Sequence, residues 1–204
     1  MQRGVTIQSI VSTIIFTFKT KMPADNYFIS DQNASYFLTF TVVDWLDVFT
    51  RKEYKVVIVD SLNYCIKNKG LTVFAWCLLS NHLHLVCRAK DGNSISAIIR
   101  DFKKFTSKAI LKMIQEIPES RRDWLLYHFE CAGRFDSRIQ HYKFWQETNH
   151  AVLLDTSEKI DQRINYTHDN PVKALIVAHP HEYLFSSAVD YSGAQGLVEI
   201  ELDV

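Results

Sequence analysis

Apolar positions along the chain change period several times, and the changes outline its elements. Residues 35–43 are rich in β-branched and aromatic side chains and read as a first strand. Residues 51–68 carry Tyr54, Val57, Ile58, Leu62, Cys65 and Ile66 at helical spacing, with Gly70 as the stop. Residues 71–79 are almost entirely apolar, which predicts a central strand covered on both faces. Residues 82–88 form the next strand, closed by the turn Lys90-Asp91-Gly92-Asn93. Ser94 then caps a long helix whose apolar stripe runs Ile95, Ile98, Ile99, Phe102, Phe105, Ala109, Met113 and which stops before Pro118. Strand, helix, strand, strand, helix is the beginning of a split βαβ.

The second half is more mixed. Residues 124–129 fit a short strand or a helix, and 133–141 read as a loop. A last helix is expected from about Asp155, because Asp155 and Glu158 have capping-box spacing. It is expected to end near Asn170, because Pro171 disfavours a helical residue before it. No internal repeat or low-complexity segment is visible.

The chain has 204 residues, enough to bury one sizeable core. Hydrophobic residues make up 47% and charged residues 23%, the balance of an ordinary globular protein. The formal net charge is zero, so no global field draws the chain to nucleic acid, and any phosphate-binding surface must be a local patch. Cys65, Cys77, Cys87 and Cys131 are widely spaced without a Cys-x-x-Cys pair, which predicts reduced thiols and a cytoplasmic location. The apolar run 5–18 is too short for a membrane span and has no small-residue cleavage site after it. No membrane partner is expected. The expected division is a poorly ordered or appended extension over 1–30, a domain over 31–192 and a tail over 193–204.

Candidate chemistry begins at Leu79-Ser80-Asn81-His82-Leu83-His84. On a strand, side chains two apart share a face, so both imidazoles point one way and Leu83 and Leu85 the other. Two neutral imidazoles on a rigid strand are half of a divalent-metal site with room for a carboxylate or amide ligand. The other reading is a half-exposed strand face that happens to carry two histidines.

The last helix contains Tyr166-Thr167-His168-Asp169-Asn170-Pro171-Val172. At about 100° per residue, Tyr166 lies roughly 200° from Ile164 and about 240° from Ile160, off the apolar stripe. Asn170 shares its face one turn on. A tyrosine hydroxyl is a competent nucleophile toward phosphorus when a metal polarises the phosphodiester, and an amide oxygen suits the same ion. A single helical tyrosine is equally a surface or packing residue.

Taken in order, these motifs resemble one family, the REP-associated tyrosine transposases within the single-tyrosine HUH transposase superfamily. The resemblance runs from about Tyr36 to Tyr191. It rests on Phe40-Thr41, Ser80 to His84, Phe144-Trp145-Gln146, Tyr166 to Lys173, and Tyr183-Leu184-Phe185-Ser186-Ser187. It implies an α+β, ferredoxin-like antiparallel sheet with helices on one face. It implies that His82 and His84 are metal ligands, that Tyr166 is the nucleophile, and that Asn170 stands where relatives carry a polar third ligand, often Gln. Mg²⁺ or Mn²⁺ is the implied cofactor. Single-stranded or hairpin DNA is the implied partner, cleaved to a 5′-phosphotyrosine link and a free 3′-OH. Related transposases are often dimers, so a homodimer is one expected state. Leu79 replaces a common Met, and Asn170 is one methylene shorter than Gln.

Arg100, Lys104 and Lys108 recur every four residues on the long helix with Lys103 beside them, a candidate DNA-binding stripe or a solvated face. Lys143, near Arg134 and Arg138, lies among Tyr142, Phe144 and Trp145, and cations mixed with aromatics suit a single strand. Phe144 and Trp145 also read as core anchors. A histidine-triad hydrolase would need histidine at Val86, a two-histidine phosphoesterase would need paired His-x-Thr/Ser motifs, and structural zinc would need a cysteine pair. The remaining rival is a catalytically silent hairpin-DNA-binding protein descended from a transposase.

Overall fold

Alternation in β1 (Ser35–Thr41) sends Tyr36, Leu38 and Phe40 into one apolar cluster and Phe37 into another on the opposite side of a sheet. A computed structural model describes residues 28–134, 136 and 141–202. Most of the expected extension, including the run 5–18, lies outside the described residues. β1 pairs antiparallel with β3 (His82–Ala89) and β4 (Val152–Leu154), and β3 pairs antiparallel with β2 (Leu71–Leu78). The sheet order is β2-β3-β1-β4. With α1 (Lys52–Lys69) between β1 and β2 and α2 (Ile95–Glu116) after β3, this is the ferredoxin-like split βαβ. The α+β class expected from the sequence is what the chain adopts.

Local chemistry sets the boundaries. Gly70 ends α1 in the left-handed region (φ 71°), and its N–H donates to the Cys65 carbonyl. A Cβ there would lie 2.5 Å from Asn93 Nδ2 and displace that side chain, while the left-handed φ is what calls for glycine. Ser94 accepts from the Ala97 N–H, capping α2 as predicted. Segment 122–134 is helical: α3 (Arg122–Arg134) buries Leu125 and Phe129. Arg122 donates to the Ile114 and Ile117 carbonyls, satisfying the end of α2.

Three expectations change. First, β2 is an edge strand. It reads as central because the C-terminal segment covers its outer edge: Leu78 N–H donates to Phe185 O, Ser187 N–H to Trp76 O and Glu201 N–H to Val73 O. Val198 in that tail is buried. Second, the α2 stripe continues through Thr106, Ile110, Leu111 and Ile114, whereas Phe105 is exposed. The i, i+4 row from Phe102 wins because it faces Trp145 and α3; Trp145 Nε1–H donates to Thr106 Oγ1 at 3.0 Å. Third, α4 (Ser157–Lys173) is capped by Thr156, which accepts from the Lys159 N–H, and runs through Pro171. Pro171 is buried, and Ala174 N–H to Asn170 O with Ile176 N–H to Pro171 O closes the final turn beyond it.

Helices cover both faces of the sheet, not one as the resemblance implied, because Phe37, Phe74, Ala75 and Val86 form a second apolar surface that α4 buries. α1, α2 and α3 pack on the side of Tyr36, Leu38 and Phe40. α4 lies across the other side, where Ile164 meets Phe37, Phe74, Ala75 and Val86. A register shift between Val73 and Ala75 turns both Phe74 and Ala75 toward α4. Segment 144–154 tracks the free edge of β1, with Val43 N–H on Phe144 O, Gln146 N–H on Thr41 O and Thr39 N–H on Asn149 O. The face under α4 is where the candidate chemistry collects.

Candidate active site

β3 sits beside β1 with His82 opposite Thr41 and His84 opposite Thr39. The two imidazoles share a face, with ring centroids 4.7 Å apart. His84 is only 5% exposed, stacks on Phe37 at 5.3 Å, and has Thr39 Oγ1 3.0 Å from its Nδ1. His82 is half-buried, and its Nδ1 is 2.6 Å from Asn81 Oδ1. Asn81 Nδ2 donates to the Trp45 carbonyl at 3.1 Å, which fixes the amide so that Oδ1 is the atom facing the ring. His82 Nδ1 therefore carries the hydrogen, and Nε2 keeps its lone pair. Burial pushes His82 down to about 4. Burial also pushes His84 down to about 3, helped by His82 and by the Arg163 guanidinium. Both rings are neutral at physiological pH, the form that ligates a metal.

α4 delivers the tyrosine. Ile164, Thr167, His168 and Pro171 face inward. Tyr166 lies at the rim of that face, 38% exposed, its ring 5.5 Å from His84 and 5.8 Å from Phe37 in edge-to-face geometry. No hydrogen bond to its hydroxyl occurs among the described residues. Two cations flank the ring: Arg163 lies 4.9 Å from the Phe37 centroid and 5.9 Å from that of Tyr166, and Lys173 Nζ is 5.2 Å from the Tyr166 centroid. Asn170 Nδ2 donates to the Tyr166 carbonyl at 2.7 Å, and its Oδ1 accepts no hydrogen bond among the described residues. The fold thus brings His82, His84 and Tyr166 together from β3 and α4, with Asn170 one turn along. Among the described residues no three His, Cys, Asp or Glu side chains group as a metal cluster. Two neutral imidazoles with engaged Nδ1 atoms are donors that suit a divalent ion taking its remaining ligands from substrate oxygens, and the contact given for Asn170 is to the Tyr166 carbonyl rather than to either histidine.

His168, quoted within the motif, belongs to the scaffold. Its Nε2 is 2.8 Å from Ser187 Oγ, its ring packs on Tyr191 at 4.8 Å, and burial pushes it down to about 4. It ties α4 to the segment that covers the edge of β2.

The candidate DNA-binding cations divide. Arg100, Lys104, Lys108 and Lys143 line one groove of about 1130 Å³ between α2 and the 141–147 segment, although the sequence offered them as two separate patches. Lys104 and Lys108 make no ion pair among the described residues, and Arg100 pairs with Asp101 at 3.1 Å. Lys143 pairs with Asp136 at 2.9 Å and Arg134 with Glu130 at 2.8 Å. Lys103 is not a surface cation: Nζ donates to Gln146 O at 2.7 Å and Asn149 Oδ1 at 2.8 Å, and burial pushes it down to about 8. Arg138 lies outside the described residues. Gln146, which lines the groove, donates its N–H to the carbonyl of Thr41, the strand partner of His82.

Sequence reasoning missed Thr39, Arg163 and Trp45, and quoted Asn81 within the motif without giving it a role. Arg163 was legible as the residue three before Tyr166 on one helical face. Thr39 becomes visible only once the β1–β3 register is known.

Residues 31–129 match the family model described as Transposase IS200 like, a span that includes both histidines and ends before Tyr166. The fold is also that of a solved REP-associated tyrosine transposase bound to a REP hairpin. That likeness has a TM-score of 0.57 and 15% identity, over 85% of this chain and 90% of that one. No curated protein matches the chain by sequence. The resemblance to single-tyrosine transposases drawn from the motif order is borne out by the family match and by the shared fold.

Proposed function

We propose that the chain is a metal-dependent endonuclease and strand transferase of the transposase type. It acts on single-stranded DNA at hairpin-flanked sites through a 5′-phosphotyrosine intermediate. The observation that carries this reading is the meeting of Tyr166 with the His82–His84 pair, its ring 5.5 Å from His84 and its hydroxyl without a hydrogen-bond partner among the described residues. Family and fold support it, since the matched neighbour is bound to a REP hairpin.

His82 and His84, with Asn170 Oδ1, would hold the ion. Mg²⁺ or Mn²⁺ bound there supplies Lewis acidity to the scissile phosphodiester, and Mn²⁺ is the softer match to imidazole. Arg163 presents guanidinium N–H groups beside the tyrosine, free of any carboxylate partner among the described residues, and orients the phosphate. Tyr166 Oη then attacks phosphorus. The P–O3′ bond breaks, the phenolic proton is released, and the 3′ oxygen leaves as a hydroxyl. Attack by another 3′-OH on the phosphotyrosine restores Tyr166 and joins the strands, so neither ATP nor water is consumed. Lys104, Lys108 and Arg100 grip the hairpin backbone in the groove. Tyr166 and His84 meet within one chain, which supports a tyrosine acting in cis, and the cytoplasm is the proposed place of action.

The test uses hairpin DNA with a single-stranded flank, with and without Mn²⁺. A protein–DNA adduct that survives boiling in detergent, needs the metal and is absent in Tyr166→Phe is the expected result. Hairpin binding with no adduct under any metal would instead mark a silent hairpin-binding descendant.

A further inference from the structure

Asp44 and Trp45, just past β1, are consecutive non-glycine residues in the left-handed region, with φ of 53° and 55°. Chains rarely hold two such residues in a row unless their surroundings force it. Here the forcing contacts are specific. The Trp45 carbonyl accepts from Asn81 Nδ2, the amide whose other end orients His82. Ser80 Oγ donates to Asp47 Oδ1 at 2.6 Å, and Phe49 N–H to Ser80 O at 2.8 Å. A strained loop is thus bolted to the histidine-bearing turn, yet its largest side chain is turned outward. Trp45 is 60% exposed, and its ring meets His82 edge-to-face at 5.9 Å. The other two described indoles at the sheet, Trp76 and Trp145, are buried.

The aromatic surface continues onto α3. His128 Nδ1 is 3.3 Å from Asp44 Oδ2, and its ring lies 4.7 Å from Trp124 and 5.8 Å from Tyr127. Trp124 and Tyr127 are themselves about half exposed or more. Neither core packing nor the cation groove uses these rings.

Resting on the function proposed above, we propose that Trp45 is a stacking platform for the unpaired base next to the scissile phosphate, and that Trp124 and Tyr127 carry the strand onward. The occupant is a single strand with its bases unstacked from one another. A ring beside His82 can be reached by a nucleotide joined to a phosphate at the histidine pair. The surface presents aromatic faces, with Arg121 bonded into the same loop at Asp47 O, so it reads base faces and is tolerant of sequence. The hairpin backbone belongs to the lysine groove, and the flank belongs to this surface.

Binding measured in chelator, where no strand is cut, separates the two. Three DNAs are compared: a blunt hairpin, the same hairpin with a single-stranded flank, and that flank with abasic positions in place of bases. The wild type should bind the flanked hairpin more tightly than the other two. Trp45→Ala should lose about tenfold on the flanked hairpin, the scale of one stacked base, and nothing on the blunt one. Trp45→Phe should recover most of the loss. Equal loss on both hairpins, or no loss on the flanked one, overturns the platform. Adduct formation by the wild type with Mn²⁺ reports separately on the cleavage reading, so either proposal can fail alone.

Discussion

Thr39 Oγ1 lies 3.0 Å from Nδ1 of His84 across the β1–β3 pair, the nearest polar partner of a histidine that is otherwise buried against Phe37. A ligand histidine whose second nitrogen is held keeps its ring orientation without cost at the moment of binding. Thr39→Val preserves the shape and removes the hydroxyl. Mn²⁺ affinity, read by calorimetry, should fall by about 10–100-fold while Thr39→Ser stays near wild type. Unchanged affinity in Thr39→Val would show that Phe37 stacking alone orients the ring.

Tyr166 presents a hydroxyl with no hydrogen-bond partner among the described residues and a ring that is 38% exposed. Removing that hydroxyl leaves the ring contacts with His84 and Phe37 in place. Tyr166→Phe should therefore change unfolding free energy by no more than about 0.5 kcal/mol while abolishing the covalent adduct. A large stability loss in urea titrations would assign the hydroxyl a structural partner and weaken the nucleophile reading.

Two neighbouring lysines on α2 should behave as opposites. Lys104 and Lys108 stand in the groove without ion pairs among the described residues, so Gln at both should weaken hairpin binding and lower the log–log salt slope by about one per lost phosphate contact. Lys103 instead bridges α2 to the 146–149 segment through Gln146 O and Asn149 Oδ1. Lys103→Met leaves those acceptors unmatched and should cost about 1–3 kcal/mol of stability. Filter binding across a salt series and chemical denaturation read the two effects apart.

Much of this was legible because the relevant signals are local. The caps at Ser94 and Gly70, the helical spacing in α1 and the alternation of His82 and His84 depend on neighbours within a turn or a pleat. What escaped depends on distant segments. β2 looks central because residues 185–187 and Glu201 bond its outer edge. Pro171 stays helical because its burial and the bonds of the following turn outweigh its own preference. Lys103 looks like one more basic surface residue until segment 146–149 folds over it. The approach of Tyr166 to His84 is of the same kind: each residue advertises its face, but only the crossing of α4 over β3 brings the faces together.

His168 gives the fold an acid-sensitive joint. Its ring is buried against Tyr191, and burial pushes it from the ordinary 6.5 down to about 4, with Asp169 opposing weakly. A base whose folded value is depressed contributes its full stability above the unfolded value. As pH falls from 6.5 toward about 4, the unfolded chain takes up a proton that the native chain refuses. Stability then drops by up to about 1.4 kcal/mol per pH unit for this group. His82 and His84 act in the same direction, His84 extending the window toward about 3. His168→Gln keeps a polar partner for Ser187 Oγ but does not titrate. Urea midpoints measured across that window should therefore show a shallower acid slope in the variant than in the wild type, with part of the slope retained from β3. Superimposable slopes would mean that the His168–Ser187 contact opens before the ring is protonated.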